Sequence, residues 1–230
     1  MNNITRAVAG VVALVLLCGF LVSGYMINAS GNKPLRGTTV NDAVALKNAR
    51  LRNERGVDTA VSLLRSGYIV LRTGLGADSY LLAQMNRKDK TYSHCGIVMV
   101  EHGYPFVYHS IGGEDNPDER LRRDSAKFFF SPLHNSGIAI VQYDYNESRV
   151  SALRRVVGDY YKARPKFDMH FDLKTDDALY CSEFVYKAIN KTMNDSAYIR
   201  PTTVLGFTFA GIDDLFINSH AHIVWRLRFK

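Results

Sequence analysis

The chain has 230 residues, of which 47% are hydrophobic and 22% charged, with a formal net charge of +7. That length supports one ordinary domain with its own core, and three cysteines exclude a disulfide scaffold. The basic balance suits anionic surfaces such as lipid headgroups or a wall polymer, but no aromatic–basic binding motif accompanies it, so no nucleic-acid partner is expected.

In chain order, the first element is an uncharged run over residues 7–27, preceded by Arg6. About 20 apolar residues cross a bilayer as a helix, whereas a cleaved secretory signal has an apolar region of only about 7–15. Ile27-Asn28-Ala29 is a poor cleavage site, and Leu17 before Cys18 does not suit lipidation. Residues 1–30 are therefore expected to be a signal anchor, 31–40 a linker and 41–230 the globular domain. Arg6 faces Lys33 and Arg36 across the span. We expect a membrane-anchored monomer with its domain outside the cytoplasm, on the periplasmic side of an inner membrane.

Asn41 or Asp42 is placed to cap a helix running to Glu54, with Gly56 interrupting before a second piece over 58–65. Residues 92–100 read as a buried strand, 101–105 as a turn and 106–110 as a second strand, which together predict a hairpin. The run Arg120-Leu121-Arg122-Arg123 reads as a solvated helix face. Residues 138–143 predict a strand, 148–162 an amphipathic helix and 223–227 a closing strand. The class that follows is α+β, an antiparallel sheet packed with helices.

Cys181 stands in Tyr180-Cys181-Ser182-Glu183-Phe184-Val185-Tyr186, where a loop runs into an amphipathic helix. A thiol in a helix's first turn meets unpaired N–H groups and the positive end of the macrodipole, which favour the nucleophilic thiolate. The plainer reading is core packing, since Cys181, Phe184, Val185, Ala188 and Ile189 follow helical spacing.

Two histidines shift the balance. On the first strand His94 points with Gly96 and Val98, while Cys95 points with Ile97 and Met99. His94 and His109 share a face only if His94 lies opposite an odd-numbered residue, such as His109 or Ile111; a slip by one separates them. Cysteine, base histidine and an orienting polar group are the parts of a thiol nucleophile's site. If His94 faces a reaction centre, Cys95 is expected to face packing, which makes a Cys95–Cys181 disulfide awkward. The oxyanion donor is expected at the Cys181 backbone N–H, and Glu183 is expected to support the structure. Asp168, His170 and Asp172, and likewise His220 and His222, read as solvated or locally hydrogen-bonded groups rather than metal ligands. No metal or cofactor is expected, and no phosphate-cradling glycine loop is present in the sequence.

The set Ser93-His94-Cys95-Gly96-Ile97-Val98, Val107-Tyr108-His109-Ser110 and Tyr180-Cys181-Ser182-Glu183-Phe184-Val185-Tyr186 resembles the circularly permuted papain-like cysteine hydrolases. The similarity is to the YaeF/YiiX type within the NlpC-like superfamily, in which the histidine precedes the cysteine. Residues 66–74 resemble that family's opening strand, with Tyr68 replacing the usual acid, and residues 164–168 with Phe171 resemble its aromatic-Asp segment. The resemblance covers about residues 60–230. It implies a permuted papain-like fold and a Cys181–His94–His109 site cleaving amides, including cell-wall peptides. His109 stands where many of these hydrolases carry glutamate, while acyltransferases resembling lecithin:retinol acyltransferase carry histidine there. Acyl transfer or lipid hydrolysis is the enzymatic alternative, and a catalytically silent tethered binding domain is the other.

Overall fold

The computed structural model describes residues 40–113 and 116–230. The expected anchor, and the linker up to residue 39, lie outside the described residues; no described helix is long and apolar enough to cross a membrane.

Helix α1 (Val40–Leu63) opens the described chain. Its second half buries Val57 and Ala60, with Leu64 just beyond it, in a cluster with Val70, Val98, Val107, Phe129, Phe130, Ile138 and Ile140. The helix runs through Gly56, contrary to the expected interruption. One glycine costs a helix only about 1 kcal/mol. A Cβ at Gly56 would stand 2.5 Å from Leu227 Cδ2, so glycine here admits the closing strand.

Six strands form one sheet: β1 (Ile69–Gly74), β2 (His94–Glu101), β3 (Tyr104–His109), β4 (Arg122–Ser125), β5 (Asn135–Tyr143) and β8 (Ala221–Arg228). Their order is β4-β3-β2-β1-β5-β8, with every neighbouring pair antiparallel. A separate hairpin joins β6 (Thr202–Val204) to β7 (Phe207–Phe209). Short helices α2 (Ala77–Gln84) and α3 (Ala126–Phe129) follow β1 and β4. The long helices α4 (Glu147–Ala163) and α5 (Cys181–Met193) cover the face formed by Ile69, Leu71, Cys95, Ile97, Met99, Ala139 and Val141. Helices α1 and α3 cover the other face. The class is α+β, as expected.

The β2–β3 turn settles the parity question. Glu101 pairs with Tyr104 across a two-residue loop, and both loop residues have positive φ, His102 at 49° and Gly103 at 85°. That is the twist a tight hairpin needs. It fixes Ile97 opposite Tyr108 and Val98 opposite Val107, so the even-numbered residues of β2 share a face with the odd-numbered residues of β3. His94 and His109 therefore share a face. A Cβ on Gly96 would come within 3.0 Å of His109 Cβ, so glycine leaves room for that ring.

The basic run 120–123 is not a helix face. Arg122 and Arg123 begin the edge strand β4, with His109 opposite Arg122 and Val107 opposite Asp124. Charged side chains on an edge strand block pairing with another chain, and they erase the apolar alternation that marks an interior strand.

Candidate active site

Cys181 is the first residue of α5, preceded by Tyr180 in extended conformation. The first helical hydrogen bond runs from Phe184 N–H to Tyr180 O (3.0 Å), which leaves the N–H groups of the first turn facing outward from the helix end. Neighbouring loops fix the approach. The Ser110 hydroxyl donates to Leu179 O (2.6 Å), the Ser182 hydroxyl to Ala210 O (2.8 Å), and Ala210 N–H donates to the Tyr180 hydroxyl (2.7 Å). Cys181, Phe184, Val185, Ala188 and Ile189 all lie in one core cluster, so the packing reading of this stripe is also correct.

The structure bears out Cys95 as a core residue and adds its contact with Cys181. Its side chain does point away from His94, but α5 packs on that same face, and the Cys95 thiol meets the Cys181 thiol. Both cysteines are free. In β2 the even-numbered residues bond to β1, as Val98 N–H does to Tyr68 O, so the Cys95 N–H points toward β3. The β2–β3 pairing ends at Ile97 and Tyr108, just short of this level. A hydrogen bond from the Cys95 thiol holds the Cys181 thiol below its ordinary value; burial opposes this, and the Cys95 and Ser182 backbone groups reinforce it. The Ser182 hydroxyl proton is committed to Ala210 O and adds little. Cys95 is pushed well up by burial and by its thiolate neighbour, so it acts as the donor of the pair.

The histidines form a second group on the opposite face. His94 Nε2 lies 2.9 Å from His109 Nδ1, and His109 Nε2 lies 3.0 Å from Asp124 Oδ2. Arg122 holds the other carboxylate oxygen, Oδ1, at 3.0 Å. Phe129 packs against both rings, with centroids 5.7 and 5.2 Å away, and the Arg72 guanidinium stands over Phe129. Burial, then the Arg72 charge, then His109 push His94 well below the usual imidazole value. Burial also lowers His109, against the pull of its hydrogen bond to Asp124. Both rings are therefore neutral near pH 7. Among the described residues no hydrogen bond joins the Cys181 thiol to either ring. The expected single Cys–His–His group is thus two groups, meeting around the first residues of β2.

Glu183 is fully buried and closes the helix start: its Oε2 accepts from Tyr180 N–H at 3.2 Å. Lys187 Nζ lies 3.0 Å from Oε1, an ion pair whose angles fall outside hydrogen-bond geometry. Burial raises the Glu183 carboxyl to about 7, outweighing the attraction of Lys187. A folded-state value above the ordinary 4.5 means that the folded protein holds this proton more tightly than the unfolded chain. Glu183's contribution is therefore full below about pH 4.5 and is lost as pH rises through about 7, an effect on the order of 3 kcal/mol. Urea unfolding of the wild type should show this decline across that window, and Glu183→Gln should flatten it. Parallel pH dependences in the two proteins would refute this account of Glu183.

Among the described residues no group of three or more His, Cys, Asp or Glu side chains is arranged to hold a metal. Asp168 accepts from the His170 and Asp172 N–H groups (2.7 Å each), His222 pairs with Asp144 at 3.3 Å, and His220 stacks on Tyr198 at 3.9 Å. Sequence reasoning missed Asp124 and the Cys95 contact. The only available signal for Asp124 was an acid two residues after Arg122, in a run without apolar periodicity.

No family model and no curated protein matches the sequence. A solved structure does share the fold: the crystal structure of the metalloprotein yiiX from Escherichia coli O157:H7. It superposes with a TM-score of 0.58 at 16% identity, covering 71% of this chain and 98% of that one. The fold is the YaeF/YiiX type of permuted papain-like fold that the motifs implied.

Proposed function

We propose that this chain is a thiol hydrolase acting on an amide bond, tethered to a membrane through residues 7–27 with its domain on the periplasmic side. The observation that carries the reading is Cys181: a thiol at the first position of a helix, held toward thiolate by the Cys95 thiol and by backbone N–H groups.

In this reading the Cys181 thiolate attacks the carbonyl carbon, and the Cys181 N–H faces the oxygen that becomes negative. His94, having taken the thiol proton, returns it to the leaving amine as the C–N bond breaks. It then takes a proton from water, which attacks the thioester and releases the carboxylate and the free thiol. His94 Nε2 is occupied by His109, so Nδ1 is the nitrogen that does this work. Cys181 and His94, which belong to separate groups in the free protein, must therefore be brought together around the first residues of β2 when substrate binds. His109 holds the His94 ring, and Glu183 holds the helix start. Cell-wall peptide is the substrate class this reading favours, and the chain works as a monomer.

A metal-dependent reading fits these residues poorly. His94 Nε2, His109 Nδ1, His109 Nε2 and Asp124 Oδ2 are joined to one another in series rather than converging on a point.

One observation favours an acyl-lipid substrate instead. Leu82, Met85, Phe167, Leu173 and Phe207 are only partly buried and pack around Phe171, Tyr180 and Ala210, directly beside the nucleophile's residue. Incubating the full chain with a peptide p-nitroanilide and, separately, a long-chain p-nitrophenyl ester tests both. Each true substrate should leave a thioester on Cys181, seen by peptide mass spectrometry. Peptide turnover supports the amidase, turnover of the ester alone supports the lipid reading, and no thioester from either sinks both.

A further inference from the structure

We propose that Asp124 is a positioning residue that fixes the tautomers of both histidines, leaving His94 Nδ1 as the free base. This rests on the hydrolase reading only for the use to which that nitrogen is put.

The hydrogens are fixed along one chain of contacts. An ionised carboxylate only accepts hydrogen bonds. Asp124 Oδ1 takes one from Arg122 at 3.0 Å, and Oδ2 takes one from His109 at 3.0 Å, so His109 Nε2 carries its proton. A neutral imidazole has one N–H, so His109 Nδ1 carries a lone pair. His94 Nε2, 2.9 Å away, must then be the donor, which leaves the His94 lone pair on Nδ1. Among the described residues, the charged groups acting on the two rings are Arg72 from β1 and Arg122 and Asp124 from β4; Phe129 from α3 supplies apolar cover. Asp124 is the carboxylate of that described set. Histidine alone in the third position supplies no fixed negative charge, and Asp124 supplies it one step further out.

Asp124→Asn makes a sharp test. Arg122 keeps the amide oxygen, so the amide NH₂ turns toward His109 Nε2. That requires a lone pair there and inverts both rings, placing a proton on His94 Nδ1. A wrong-tautomer histidine next to an Asp→Asn change is a known cause of lost activity in Ser-His-Asp enzymes.

The experiment uses the full chain in detergent micelles with ¹⁵N-labelled histidine, assigned with His94→Gln and His109→Gln. We expect a lone-pair signal at His94 Nδ1 in the wild type and an N–H signal there in Asp124→Asn. Deacylation of a thioester formed on Cys181 from p-nitrophenyl acetate should slow by about tenfold or more in Asp124→Asn, since base catalysis contributes about 10²–10⁴. Asp124→Glu, which keeps the carboxylate, should retain the wild-type tautomer and recover part of the rate. Unchanged tautomers in Asp124→Asn with an unshifted melting temperature would overturn the proposal. If the wild type forms no thioester, the hydrolase reading fails, and the tautomer signals still decide the role of Asp124.

Discussion

Cys181→Ala is expected to abolish turnover of any true substrate, by on the order of 10⁴-fold or more, with the fold retained. The sulfur is the only atom of that side chain that the chemistry uses, while the helix keeps Phe184, Val185, Ala188 and Ile189 in the core. Loss of one small buried group should lower stability by about 1–2 kcal/mol, because Cys95 loses its acceptor and a small cavity opens. Activity and stability therefore separate in this variant. Retained turnover in a folded Cys181→Ala protein would rule out covalent catalysis at this position. A large loss of stability alongside lost activity would favour the packing account of the helical stripe.

The second large effect is expected from His94→Gln. Removing the base should slow hydrolysis by about 10²–10⁴-fold. The pH dependence carries a further signature. Burial, Arg72 and His109 all push His94 below the ordinary 6.5, so the wild-type rate should hold through neutral pH and fall only at more acid values, as the ring takes up a proton. In His94→Gln that acid limb should disappear, and the Cys181 thiolate, held mainly by Cys95 and by backbone N–H groups, should persist. An unchanged limb in the variant would assign it to another group and leave His94 as a packed ring against Phe129.

The hairpin was legible because its geometry is local. The turn expected over 101–105 announced the hairpin but not its register; the two-residue loop His102-Gly103 sets the parity that brings His94 and His109 to one face. The α5 stripe was legible for the same reason, since helical spacing is read within one element. Gly56 misled because its reason lies 171 residues away, in the close approach of Leu227. Strand alternation correctly separated Cys95 from His94, but alternation says nothing about which helix covers a face, and α5 covers the one Cys95 occupies. Asp124 escaped because a short charged edge strand has no hydrophobic period, and its partner His109 is reached only through the strand register. Local patterns carried the candidate residues; the contacts between elements decided which of them touch.

The most direct measurement of the central claim is iodoacetamide alkylation of the full chain across pH, with each labelled cysteine identified by mass spectrometry. We expect rapid labelling at Cys181 with an apparent pKa below the free-thiol value of about 8.5, while buried Cys95, whose thiol is pushed well up, stays unmodified until the protein unfolds. Slow labelling of Cys181 that rises only with unfolding, as for Cys95, would contradict the account and leave the two thiols as core neighbours.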